Sequence, residues 1–137
     1  MDLLRHQIIN RLMAPHTDQV AEAAIRLWEV MAIRIISIVG EGGFNSLYAR
    51  SVFLAQSNYP WLETSAAPAP AGHRFAELKA TLEAQTPAQA GAANILLLIT
   101  FTDILAALVG EQLTTSILCS VWGIDASTAS KELKHEQ

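Results

Sequence analysis

The sequence predicts an all-α protein, and three observations lead to this prediction. Apolar residues recur at helical spacing nearly everywhere, and no segment shows the two-residue alternation of a half-buried strand. Hydrophobic residues make up 51% of the 137 residues, which is enough for one domain-sized core. Two segments, Ile38–Leu47 and Leu108–Ile117, contain Val-Gly-Glu after an apolar run. We therefore expect a compact bundle of about six helices.

The first three helices are separated by a polar break and a glycine-rich corner. Asp2–Met13 has an apolar face and ends at APHTDQ, where Thr17 or Asp18 is a suitable N-cap for the next helix. This second helix runs to Val39, and the third starts after Gly42-Gly43 and ends before NYP. The second helix has a wide apolar face opposite a polar stripe of Glu22, Arg26, Glu29 and Ser37.

The last three helices follow a segment rich in alanine and proline. Residues 62–73 contain two Ala-Pro steps, which favour extended backbone and predict a linker. Helical spacing resumes over His73–Gln85 and again from Pro87, because proline is well tolerated in the first turn of a helix. Glu111–Trp122 is the sixth helix, and the polar residues 125–137 predict a frayed tail.

A shift of 70 positions aligns the two halves of the chain without a gap. Over residues 23–47, seven of the 25 positions are identical to those 70 residues later. The order of short helix, long helix, corner and short helix also matches. We therefore expect one helical domain over residues 1–124. It consists of two pseudo-repeated three-helix units, 1–61 and 74–124, joined by the linker 62–73.

Val-Gly-Glu marks a predicted helix corner in each unit. Gly40 and Gly110 follow the long helices, where glycine readily takes the positive φ that closes the last carbonyl groups. Glu41 and Glu111 lie in the first turn of the next helix, where a negative charge interacts favourably with the helix dipole. These four residues are therefore interpreted as structural.

Two further pairs of residues are candidates for a specific role. Arg34 lies between two isoleucines, and Asp103 interrupts the most apolar helix, so we expect them to form a buried polar pair between the long helices. Tyr59 and Trp61 flank a proline at the entrance to the linker, and we expect them to form an apolar patch for interaction with a partner.

No motif for catalysis, a cofactor or a metal is found in the sequence. The four histidines do not have metal-ligand spacing, and no phosphate-binding loop or nucleophile motif is present. The net charge of −4 argues against binding to a nucleic-acid backbone, which requires clustered lysine and arginine. We therefore predict a non-enzymatic protein without a cofactor or a nucleic-acid partner.

The predicted function is a helical protein-interaction module, of a regulatory or signalling kind, that self-associates as a homodimer. Charged residues make up only 16% of the chain, and this leaves more apolar surface than one small core requires. One alternative is a sensor that binds a small apolar ligand between the two long helices. Another is an integral membrane protein, in which residues 92–110 cross the bilayer. The single cysteine and the absence of a secretory signal favour the cytoplasm.

The linker assignment predicts the first site of proteolysis. Limited digestion with a low-specificity protease should cut within or beside residues 64–73, because that segment has no large apolar anchor. Mass spectrometry of the first fragments checks this. Initial cleavage inside either long helix would contradict the assignment.

Overall fold

The computed structural model describes residues 2–13, 19–62 and 75–122, and in these ranges the chain is helical without a strand. The all-α prediction is therefore confirmed. The five helices are α1 (Asp2–Met13), α2 (Val20–Ala55), α3 (Ala76–Glu83), α4 (Pro87–Val109) and α5 (Glu111–Val121). The predicted tail, residues 125–137, and the predicted linker except Leu62 lie outside the described residues.

The expected second and third helices form one element, α2, so the described helices number five and not six. Gly40 alone has non-helical dihedral angles, with φ 84° and ψ 164°, and the helix resumes at the next residue. The rings of Trp28 and Tyr48 nevertheless lie 5.4 Å apart. A straight helix would separate these two residues by about 30 Å. The kink at Gly40 therefore folds α2 back on itself, and we refer to residues 20–39 as its first arm and 41–55 as its second arm.

Gly110 occupies a comparable position between α4 and α5. Its φ is 100° and its ψ 148°, and its N–H donates to the Ala106 carbonyl oxygen at 2.8 Å. A positive φ combined with an extended ψ is a region that glycine populates and other residues avoid. Glycine is favoured at both corners by the backbone conformation and not by a lack of space, because a Cβ added at either glycine would have no atom within 4 Å.

The first arm of α2 and α4 lie at the centre and pack against each other, as the sequence predicts. They run in the same direction, since Val20 lies beside Gly91 whereas Trp28 lies beside Phe101 further along α4. Helix α1 packs on α4, α3 packs mainly on α2, and α5 contacts both long helices. The largest fully buried side chains are Trp28, Phe44, Phe101, Ile9, Met31, Ile35, Leu62, Leu82, Leu97, Leu98 and Leu105.

Leu62 was predicted to be the first residue of the linker, but it belongs to the hydrophobic core. Its side chain is buried in the core, and its carbonyl oxygen accepts a hydrogen bond from Nε2 of Gln56. The hydrophobic core of the first half therefore includes Leu62, which follows NYP. The composition of the Ala-Pro segment gave no sign of this anchor, because a single leucine at a segment boundary has no periodicity.

The two corners predict a selective effect of alanine substitution. Gly40→Ala or Gly110→Ala should lower the free energy of unfolding by about 1–3 kcal/mol, because alanine is strained at this φ and ψ. Gly42→Ala is the matched control: Gly42 lies in a helix with free space around it, so alanine should be neutral or stabilise by up to about 1 kcal/mol. Urea unfolding followed by circular dichroism measures the three values. Equal effects at Gly40 and Gly42 would contradict the role of the corner.

Candidate interaction surfaces

The expected buried pair of Arg34 and Asp103 is wrong. Both side chains are exposed, and Oδ1 of Asp103 lies 3.0 Å from Nε2 of His6 on α1. Each residue turns a helix by 100°, so Ile35 is fully buried while Arg34 beside it points outward. Isoleucines on both sides of an arginine therefore do not imply that the arginine is buried. Asp103 pairs with α1 on the outer side of α4, away from the first arm of α2.

The buried polar contact between the long helices involves other residues. Nε1 of Trp28 donates to Oδ1 of Asn94 at 2.8 Å, and both side chains are 0% exposed. An indole N–H buried without an acceptor is costly, so the pair satisfies a need created by the burial of Trp28. The sequence did indicate a buried polar contact at this position, because Asn94 is a strongly polar residue within the apolar run of α4.

A cluster of five aromatic rings surrounds this contact. Phe44 and Phe101 have ring centroids 5.3 Å apart, and Tyr48 lies 5.6 Å from Phe75 of α3. Burial raises the pKa of the Tyr48 hydroxyl, and the negative charge of Glu77 raises it further. Tyr48 therefore stays protonated at neutral pH. The cluster links both arms of α2 to α3 and α4, and it consists of Trp28, Phe44, Tyr48, Phe75 and Phe101.

Groups capable of metal or covalent chemistry are dispersed in the part of the chain that the structure describes. No three His, Cys, Asp or Glu side chains there lie close enough together to hold a metal ion. Cys119 is a buried thiol, and burial in apolar surroundings lowers the nucleophilicity of a thiol. The absence of an enzymatic activity remains a prediction from the sequence.

The other residues singled out in the sequence lie at a helix end or in the turn that follows α2. Glu41 is exposed, whereas the Glu111 carboxylate accepts a hydrogen bond from Oγ1 of Thr115 at 3.1 Å. Tyr59 and Trp61 are half-buried, with ring centroids 5.6 Å apart, and pack against the core. Their role in binding a partner stays a prediction, and the more exposed apolar side chains lie elsewhere.

One continuous face of the first arm of α2 is exposed. The polar stripe expected from the sequence lies on it, but its C-terminal half also carries Ile33, which is 74% exposed, and Val30, which is 37% exposed. The exposure of Ile33 could have been predicted from the sequence, since Ile33 lies midway between Glu29 and Ser37 on the same helical face. We call this surface the α2 outer face, and it consists of Glu22, Arg26, Glu29, Val30, Ile33, Arg34 and Ser37.

Other exposed large apolar side chains lie outside this face. Leu108 lies in the last turn of α4 and is 66% exposed, and Leu113 lies in the first turn of α5. Phe53 and Leu54 are in the last turn of α2. Ile38 lies beside the corner at Gly40. Leu108, Leu113 and Ile38 are single exposed apolar residues of a kind common on protein surfaces, whereas Phe53 and Leu54 form a second exposed apolar pair at the end of α2.

Two grooves run along the junction of α2 with α3. One has a volume of about 420 Å³ and is bounded at one end by Pro87 and Ala90, and the other has about 390 Å³ and is bounded by Phe75 and Ala76. Glu22 and Lys79 line both grooves. Their charged rims are suited to a polar ligand rather than to an apolar one.

Helix α4 is the one described helix that is long and apolar enough to cross a bilayer. It has 23 residues and lies at the centre of the bundle, where its buried face contacts the other helices. The core helix of a soluble bundle has the same length and composition, so this finding does not separate the two alternatives.

The buried polar contact predicts different behaviour for two pairs of residues. In a double-mutant cycle, Trp28→Phe and Asn94→Leu should couple by about 1–3 kcal/mol in unfolding free energy, because either single change leaves a buried group unpaired. The control cycle of Arg34→Met and Asp103→Leu should be additive within about 0.5 kcal/mol, because these side chains do not meet. Urea unfolding of the wild type and the six variants tests both cycles. Coupling between Arg34 and Asp103 would contradict the arrangement of the long helices.

Comparison with known proteins identifies no family for this chain. No family model matches it, and no curated protein or solved structure matches it either.

Proposed function

We propose that the chain is a non-enzymatic, protein-binding helical module that self-associates as a homodimer. The observation that carries this proposal is the α2 outer face, where Val30 and Ile33 form an exposed apolar strip between charged residues. Contiguous apolar surface with a charged border is typical of interaction sites.

Contact across this strip would contribute favourably to association. Burial of an isoleucine side chain that is otherwise exposed is worth about 1.5–3 kcal/mol, and a twofold dimer buries every such residue twice. Ile33 retains most of its exposed surface within one copy of the chain. It is therefore the side chain of this strip with the most to gain from a partner.

We further propose that the bundle consists of two copies of a three-helix unit, counting the two arms of α2 as separate helices. Buried positions in the first arm have buried counterparts 70 residues later in α4, as in Val20 and Ala90, Trp28 and Leu98, Met31 and Phe101, and Ile35 and Leu105. The positive φ of Gly40 recurs at Gly110. Helix α1 of the first unit packs on α4 of the second, and α3 of the second unit packs on α2 of the first. This reciprocal packing is expected for an approximate twofold axis along the long helices.

This repeat accounts for the exposure of Ile33. It relates Ile33 to Asp103 and Ala76 to His6, so the counterpart of the His6–Asp103 contact consists of an alanine and an isoleucine. Both positions are exposed, but Asp103 is a charged residue that contacts His6, whereas Ile33 is apolar and the methyl group of Ala76 is too short for an equivalent contact. The α2 outer face is thus the place where an exposed position of the repeat is apolar.

The two alternatives have less support. A sensor for an apolar ligand requires space between the long helices, whereas Trp28, Leu97 and Phe101 fill that region with fully buried side chains. A membrane protein requires α4 to face lipid, yet α4 carries the buried polar residues Asn94 and Thr102 and packs against the other helices. Both are excluded if the purified chain stays in detergent-free solution and carries no ligand in native mass spectrometry.

The proposal predicts that one substitution separates the two copies. Ile33→Ser should shift sedimentation from dimer towards a monomer of about 15 kDa at micromolar concentration, with unchanged unfolding, because Ile33 is exposed within one copy. Leu108→Ser is the matched control, since Leu108 is similarly exposed but lies on α4. A wild-type monomer at every concentration would contradict self-association. An equal loss of dimer in the control would assign it to another surface.

A further inference from the structure

We propose that two copies of the chain pair through their α2 outer faces in parallel, with Glu29 of each copy opposite Arg34 of the other. This inference rests on the proposed self-association and adds to it the orientation and the register of the two helices. It follows from the positions of the two charges relative to the apolar strip.

The α2 outer face has the layout of a short coiled-coil seam. Val30 and Ile33 are three residues apart and correspond to consecutive a and d positions of a heptad. Arg26 and Ser37 continue the same line at d and a. The hydroxyl of Ser37 donates to the Arg34 carbonyl oxygen at 2.6 Å, so it is satisfied within its own helix and does not oppose burial.

Glu29 and Arg34 lie on opposite edges of this seam, at the g and e positions. In a parallel pair with a twofold axis along the helices, the g edge of one copy faces the e edge of the other. Each dimer then has two contacts between Glu29 and Arg34, with the five-residue offset typical of parallel coiled coils. An antiparallel twofold pair centred on Val30 and Ile33 would bring like edges together, so that Glu29 and Arg34 would not face each other. The two Glu29–Arg34 contacts therefore favour the parallel arrangement, and they act against the repulsion between the two Arg26 side chains, which lie at equivalent d positions.

Both charged side chains are accessible for this contact. Glu29 and Arg34 are exposed, and no salt bridge between either of them and another described residue is found. Two cations lie near Glu29, since Arg26 precedes it by three residues and Lys79 of α3 lines the same groove. They reduce the attraction that Glu29 offers to a partner. We therefore expect a dimer that is weak and sensitive to salt.

Charge reversal tests the register. Arg34→Glu alone and Glu29→Arg alone should each weaken dimerisation roughly tenfold in sedimentation equilibrium at low salt, because each replaces two attractions by two repulsions. An equimolar mixture of the two single variants should regain the wild-type affinity, because each variant then meets its opposite charge. The double variant should also dimerise with itself but should not pair with the wild-type chain.

Two controls make the outcome specific. Glu22→Arg makes the same change of charge one heptad before Glu29, where the opposite e position is the uncharged Leu27, and it should leave the affinity nearly unchanged. Ile33→Cys should form an intermolecular disulfide on mild oxidation, because equivalent d residues meet at the axis of a parallel pair. The wild-type chain should not, since its Cys119 is buried.

The results separate this inference from the function on which it rests. A wild-type dimer that tolerates both single reversals, or whose Ile33→Cys variant stays unlinked, would overturn the parallel pairing and leave self-association intact. Dimerisation that is lost in the single variants but not regained in their mixture would overturn the register. A wild-type chain that is monomeric up to high micromolar concentration would overturn both proposals.

Discussion

The contact of Trp28 with its neighbours is the constraint on which the rest of the bundle depends. The indole ring touches Tyr48 of the second arm of α2, Phe75 at the start of α3 and Phe101 of α4, and its N–H is satisfied by Asn94. Trp28 thus connects four helical segments, namely the two arms of α2, the start of α3 and α4. The corner at Gly40 brings the second arm within reach of this ring, and without that reversal Tyr48 would lie roughly 30 Å from it.

Sequence periodicity was sufficient to predict the class of fold, the central pair of helices and the position of the corners, because each depends on the local spacing of residues. The count of helices differs by one, because the two helices predicted on either side of Gly40 are the two arms of α2, which a single positive-φ residue separates. The prediction of an Arg34–Asp103 pair was wrong for a related reason. The contacts of a given residue depend on which helix lies beside it, and the sequence does not show that Asp103 contacts His6 of α1 while Arg34 and Ile33 face solvent.

The candidate surface illustrates a different limit. Its polar residues were predicted as one stripe, and they are exposed as expected, but the exposure of Val30 and Ile33 beside them was not predicted from the sequence. A helix with more apolar residues than one face can hold must expose some of them. Which ones are exposed follows from the angle at which neighbouring helices pack. The excess of apolar residues over charged ones is therefore visible in the composition, whereas its location becomes visible in three dimensions.

The pairing of Trp28 with Asn94 also has a consequence for the order in which the chain is made. Its two partners are 66 residues apart, so at roughly 5–20 residues per second the ribosome needs about 3–13 seconds to supply the acceptor after the donor. During that interval the first arm of α2 can close against its second arm across Gly40, a local step. Its α4-facing side still lacks a partner. A nascent chain thus passes through a hairpin with one apolar side uncovered, and a second ribosome on the same message would present the same side nearby.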